Sequence, residues 1–195
     1  MNIINKNQDI EIEAKFEVLD INLLKLWLNK YAKRISKKRV IDIYFVSPHK
    51  NFLKYKFPYE WLRLRDEGDK FTINYKHWYP ENLQRTTHCD EFETTIGSIE
   101  SLKKIFTALG FKEIAIVDKY RQNFRIDDME LSFDNVKGLG YFLEIEYKGE
   151  EIDIELINKK FSKYQHHLTT ALGKRNYRGY PYLILEKNKL LPRIK

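Results

Sequence analysis

Five pairs of like-charged residues recur at a two-residue step: Glu11 with Glu13, Arg63 with Arg65, Glu91 with Glu93, Lys119 with Arg121, and Glu144 with Glu146. Residues two apart on a strand share a face. Each pair therefore presents two charges side by side, close enough to grip one ligand. A carboxylate pair disfavours its own ionised state, so neighbouring Lys and Arg, or a divalent cation, must offset it. Mg2+ and Mn2+ prefer carboxylate oxygens. The oxygens of a triphosphate match Arg forks and Lys point charges. Acidic pairs alternating with basic pairs suit a metal that bridges to such a polyanion. No GxxxxGK[ST] stretch occurs, and Gly138-Leu139-Gly140 is too short to cradle phosphate. Side chains, not backbone amides, must do the holding.

The elements that carry these pairs read as strands with one apolar and one charged face. From Ile10 to Val18, Ile10, Ile12, Ala14, Phe16 and Val18 oppose Glu11, Glu13, Lys15 and Glu17. Val40–Val46 sets Ile41, Ile43 and Phe45 against Asp42 and Tyr44. Trp61–Arg65, Phe71–Trp78 (with Lys76), Met129–Val136 (with Asp134) and Tyr141–Tyr147 alternate likewise. A segment from Arg85 to Glu93 puts Arg85, Glu91 and Glu93 in one parity, and Val117–Ile126 does so for Lys119, Arg121 and Arg125. Two helices interrupt the strands. One is capped by Asp20 and carries Leu23, Leu24, Trp27, Leu28 and Tyr31; the other is capped by Ser98, turns Leu102, Phe106 and Leu109 inward, and ends before Gly110. From about residue 150 the spacing of Leu156, Phe161, Tyr164, Leu168 and Leu172 reads as helix. The pattern predicts an α+β fold: a closed antiparallel β-barrel of about eight strands with flanking helices.

Antiparallel sheets commonly wet one face, so charged faces ordinarily mean solvent. Tight repeated pairs argue for inward faces instead. A dry charged interior is excluded, since each buried ion costs several kcal/mol against a net domain stability of about 5–15 kcal/mol. A wet tunnel holding cations and a polyanion is not. With 195 residues and no linker, repeat or low-complexity stretch, the chain 1–195 reads as a single domain. No apolar run reaches the ~18 residues of a membrane helix. The opening MNIINKNQDI lacks a signal pattern and Cys89 is the only cysteine, so a cytoplasmic location is the default expectation. A net charge of +7 admits nucleic acid or a small polyanion. The interleaved carboxylates would repel a nucleic-acid backbone and disfavour that partner.

In chain order these residues resemble the CYTH, or triphosphate tunnel metalloenzyme, superfamily. Glu11-Ile12-Glu13-Ala14-Lys15 resembles its ExExK signature, Asp42-Ile43-Tyr44-Phe45 its second strand, Arg63-Leu64-Arg65 its RxR strand and Tyr75-Lys76 its strand ending in lysine. Glu91-Phe92-Glu93, Lys119-Tyr120-Arg121 and the block from Asp134 to Glu146, DNVKGLGYFLEIE, follow in order, over about residues 10–147. The closing block is most similar to that of class IV adenylyl cyclases, apart from Lys137, where that group commonly has an acid. The resemblance implies metal binding, Mg2+ or Mn2+, by Glu11, Glu13, Asp134, Glu144 and Glu146. It implies triphosphate binding by Lys15, Arg63, Arg65, Lys76, Lys119 and Arg121. Arg85, Glu91, Glu93, Arg125 and Asp42 are further candidates. It implies conversion of ATP to cyclic AMP and pyrophosphate. A triphosphatase acting on inorganic, thiamine or nucleoside triphosphate is the alternative, and a non-catalytic polyanion or RNA binder a second. A homodimer is left open.

Other residues read as structure. His166 and His167 diverge by ~100° on a helix and cannot easily share a ligand. His77 and His88 fall in outer parity, Cys89 has no partner at motif spacing, and Trp27, Trp61 and Trp78 suit packing.

Overall fold

The computed structural model describes residues 9–150 and 153–191. Residues 1–8, 151–152 and 192–195 lie outside them.

The strands are β1 (Ile10–Glu11), β2 (Glu13–Val18), β3 (Lys33–Val46), β4 (Glu60–Asp66), β5 (Phe71–Tyr79), β6 (His88–Thr95), β7 (Lys112–Ile126), β8 (Met129–Val136), β9 (Gly140–Tyr147) and β10 (Leu172–Asn176). They form one antiparallel sheet in the order β1-β6-β5-β4-β3-β7-β8-β9-β2-β10. Its closure is built into the first segment. Glu11 pairs with Cys89 of β6, while Glu13, two residues on, pairs with Glu146 of β9. The two ends of the sheet therefore meet at Ile12, and the sheet curls into a tunnel. Ten strands replace the expected eight or so. The first run is divided between two neighbours at Ile12, and a tenth strand comes from the C-terminal part.

Three of the four helices among the described residues decide which faces turn inward. Helix α1 (Ile21–Tyr31) starts at Asp20, whose carboxylate accepts from the N–H groups of Asn22 and Leu23 at 2.9 and 3.0 Å. It and α3 (Ile154–His167) lie over the sheet. Leu24, Leu28, Ile157 and Phe161 are buried against Ala14, Phe16, Leu131, Phe133, Leu143 and Ile145. Helix α2 (Ile99–Ala108) covers Ile43, Phe45 and Leu64 with Ile99 and Phe106. Burying each such side chain contributes roughly 1.5–3 kcal/mol. The helices thus take the apolar face of every strand they cover, and the alternate residues, the charged ones, are left facing the tunnel.

Two sequence expectations change here. Leu109 caps the end of α2 and is exposed rather than inward; the burying stripe runs through Ile99 and Phe106. Leu172 begins β10, which pairs with β2 through Leu172↔Val18 and Arg175↔Phe16. Its helical spacing from Leu168 is coincidental, because Leu168 already caps α3. The region after 150 is helix, strand, helix, closing with α4 (Tyr180–Lys187). No helix among the described residues is long and apolar enough to cross a membrane.

Candidate active site

The tunnel encloses a cavity of about 280 Å³. Its charges are sorted around the ring. Arg63 and Arg65 come from β4, Lys119 and Arg121 from β7, the two strands that flank β3, and together they form one wall. Behind them lie Asp42 on β3 and Asp134 on β8, both 0% exposed. Asp42 takes a two-point bond from Arg65 at 2.6 and 3.0 Å and stands 3.2 Å from the Lys119 ammonium. Burial alone would raise its carboxyl; Arg65, Lys119 and Arg63 instead hold it well below the usual carboxylate range. Asp134 takes Arg121 at 2.7 and 2.5 Å and the Tyr180 hydroxyl at 2.9 Å. Such forks fix guanidinium groups in place.

Arg63 is different. Its ion partners are no nearer than 3.7 Å, and its buried Nε has no hydrogen-bond partner among the described residues. Buried donors left unpaired are rare and call for an explanation.

The facing wall is acidic: Glu144 and Glu146 on β9, Glu13 on β2, Glu11 on β1, and Glu91 and Glu93 on β6. Burial pushes the Glu11 carboxyl well above its usual value against the pull of Lys76, and Glu13, Glu91 and Glu146 push it further. Glu146 is raised chiefly by burial, against Lys148. The Lys76 ammonium bonds Glu11 and stands 3.5 Å from Glu91 and 4.0 Å from Glu13. Although burial opposes it, Lys76 with Arg63 holds Glu91 at about 2. Lys15 is a further basic residue among these acids, 3.0 Å from Glu144. Glu144, despite burial, is held well below its ordinary value by Lys15 and Arg121.

One mouth is shut. Tyr180, Tyr182 and Leu185 of α4 pack on the inward residues Tyr44, Trp61, Val117, Val136 and Phe142. The ring of Tyr180 lies under two ammonium groups, 4.2 Å from that of Lys15 and 4.9 Å from that of Lys119. At the other end Glu67, Asn123, Glu130 and Lys148 line the opening.

The model of the CYTH domain matches residues 9–170. The chain belongs to the CYTH family. A CYTH relative from Methanocaldococcus jannaschii, named "Putative adenylate cyclase", is 37% identical over 145 residues, which is 74% of this chain and 80% of that protein. The PH1819 protein of Pyrococcus horikoshii has a solved structure that superposes with a TM-score of 0.77 at 27% identity, over 91% of this chain and 99% of that one. "Putative adenylyl cyclase HpAC1" from Hippeastrum, described by a dominant triphosphatase activity, superposes with a TM-score of 0.61 at 18% identity, over 94% and 98%. At that identity the last comparison shows the CYTH fold alone.

Within this CYTH tunnel the structure gathers Glu11, Glu13, Lys15, Arg63, Arg65, Lys76, Glu91, Glu93, Lys119, Arg121, Glu144 and Glu146 around one cavity. It does not bring Arg85 or Arg125 there. Arg85 precedes β6, which starts at His88, so strand parity does not apply to it; its guanidinium lies 5.9 Å over the Tyr177 ring. Arg125 keeps inward parity but sits exposed at the far end of β7, paired across from Lys33. Asp134 and Asp42 stand behind the basic wall rather than in the cavity, with their oxygens committed to arginine and lysine. Trp61 and Trp78 pack and also line the tunnel. Tyr180 went unread in the sequence. The signal available was Gly179-Tyr180-Pro181, a helix start with proline in its first turn.

Proposed function

We propose that the tunnel binds the triphosphate of a nucleoside triphosphate together with Mg2+ or Mn2+, and that it converts ATP to cyclic AMP and pyrophosphate. The observation that carries the binding reading is Arg63: a buried guanidinium that lines the cavity and has an unpartnered Nε among the described residues. Phosphate oxygens would complete it, with Arg65, Lys119 and Arg121 alongside. The acidic wall fits a divalent cation by donor type. Lys76 already draws Glu11, Glu13 and Glu91 around one positive charge. Among the described residues no three potential ligands are gathered tightly enough to hold a metal as they stand, so Lys76 must give way. Glu11, Glu13, Glu144 and Glu146 would hold the cation, while Asp134 orients Arg121. A bound cation supplies charge neutralisation at phosphate oxygens and acidifies a nearby hydroxyl. The chain's own part is to fix the phosphates along one wall and keep the leaving pyrophosphate against Arg and Lys.

The cyclase reading is supported by the name of the 37% identical relative and by the closing block DNVKGLGYFLEIE. A triphosphatase is the second reading. It is favoured by the cavity of about 280 Å³, just under the ~300–1,000 Å³ typical of small-molecule sites, which suits a triphosphate better than a whole nucleotide. It also accords with the dominant triphosphatase activity described for the Hippeastrum protein. Incubation with ATP and Mn2+ followed by chromatography separates them. Cyclic AMP with equimolar pyrophosphate is expected; ADP and orthophosphate without cyclic nucleotide would replace the cyclase with the hydrolase.

Affinity should also depend on pH. Burial, then the adjacent Arg121, pulls the Lys119 ammonium down to about 8, against Asp42 and Asp134. Lys119 is charged below that value and loses its proton as pH rises through it. Tripolyphosphate binding, followed calorimetrically from pH 7 to 9.5, is expected to weaken above pH about 8. The Lys119→Arg variant should lose that inflection. An inflection unchanged in the variant assigns it to another group.

A further inference from the structure

A second cavity, of about 680 Å³, lies between α1, α3 and the turn joining β7 to β8. Its volume is within the range of small-molecule sites. We infer that it binds a small organic ammonium ion, held by the rings of Trp27, Tyr31 and Tyr164 and by the carboxylates of Asp127 and Asp128. The ring geometry selects that chemistry. Trp27 and Tyr31 meet at 5.4 Å and 45°, and Trp27 and Tyr164 at 6.3 Å and 86°. Rings set at such angles make a cage with faces on several sides, not the parallel slot a flat base needs. Cages of this kind attract alkylammonium groups through the negative faces of the rings. Part of the surrounding charge has the matching sign. Helices α1 and α3 both end at this cavity, at Tyr31 and His167, and helix C-termini are negative. Asp127 and Asp128 add two carboxylates. With burial first, they raise the Tyr164 hydroxyl above its ordinary value. The Tyr31 ring already takes one cation contact, from the Lys30 ammonium at 4.9 Å. Of the cavity's lysines, Lys160 is bonded to Asp128, while Lys163 has no ion pair among the described residues and opposes the proposed ligand.

Of the three tryptophans, Trp27 alone lines this cavity, while Trp61 and Trp78 line the tunnel. Intrinsic fluorescence therefore reports on it. Titration of the full chain with tetramethylammonium or choline, against matched sodium chloride, is expected to give a saturable change. Tyr31→Ala should weaken binding roughly two- to fivefold, the scale of one exposed cation–ring contact, and Asp127→Asn should weaken it as well. Lys163→Ala should tighten it, and the tunnel variant Glu13→Gln should leave it unchanged. A flat titration overturns the proposal. So does a response lost in Glu13→Gln but intact in Tyr31→Ala, which would place the cation among the tunnel acids. Weaker binding in Lys163→Ala also overturns it, since removing a like charge beside a bound cation should strengthen its binding.

Discussion

Replacing Asp42 with alanine is expected to destabilise the protein by about 3–5 kcal/mol, the usual cost of leaving buried charges without their partner. Three cations depend on this one carboxylate: Arg65 through a fork, Lys119 at 3.2 Å and Arg63 at 4.0 Å. Against a total of about 5–15 kcal/mol, the variant should unfold in far less denaturant. The wild-type contribution has a definite pH window. The folded carboxyl is held well below its ordinary value, so its stabilisation is complete above the ordinary value that the unfolded chain keeps. It is lost only as pH falls through the lower folded value. Denaturant melts of Asp42→Ala at neutral pH test this directly. A loss under about 1 kcal/mol would mean that the basic wall organises itself without Asp42.

Arg63→Ala should do the reverse: keep the fold and lose the ligand. Its guanidinium lacks a close fork with any carboxylate, so removal strands little. Losing a hydrogen bond to a charged group costs about 1.5–3 kcal/mol, a weakening of roughly ten- to 150-fold in triphosphate affinity. Calorimetry with tripolyphosphate and Mg2+, beside a denaturant melt, separates the two effects. Unchanged affinity would remove Arg63 from the site, and collapse of the fold would make its role structural. Arg65→Ala is the comparison. Because Arg65 both faces the cavity and neutralises Asp42, it should lose affinity and stability together.

Much of the tunnel was legible because strand parity is strict. Once Ile12, Ala14 and Phe16 are assigned to a covered face, Glu11, Glu13 and Lys15 have one place left to point. The same reasoning located Arg63, Lys119 and Glu144. It failed where a residue lies outside the strand, as with Arg85, or past the end of the cavity, as with Arg125. It also could not rank depth. Asp134 and Glu144 both lie on charged faces, yet Asp134 is covered by Arg121 and Tyr180 while Glu144 lines the cavity. That difference depends on α4, which arrives from about fifty residues further along the chain and leaves no periodic trace in β8. The spacing of Leu168 and Leu172 misled for a related reason: four-residue spacing fits a helix, but the pairing of Leu172 with Val18 across 154 residues wins.

Helix α4 closes one mouth, which among the described residues leaves the tunnel open at the Glu67 and Lys148 end and imposes an order on traffic. Whatever settles deepest, against Lys15, Lys119 and Tyr180, can leave only after whatever lies nearer Glu67 and Lys148 has gone. A split substrate must then be discharged in sequence, outer fragment first. Product-inhibition kinetics would read that sequence: only the fragment released last should compete with the incoming substrate for the empty enzyme.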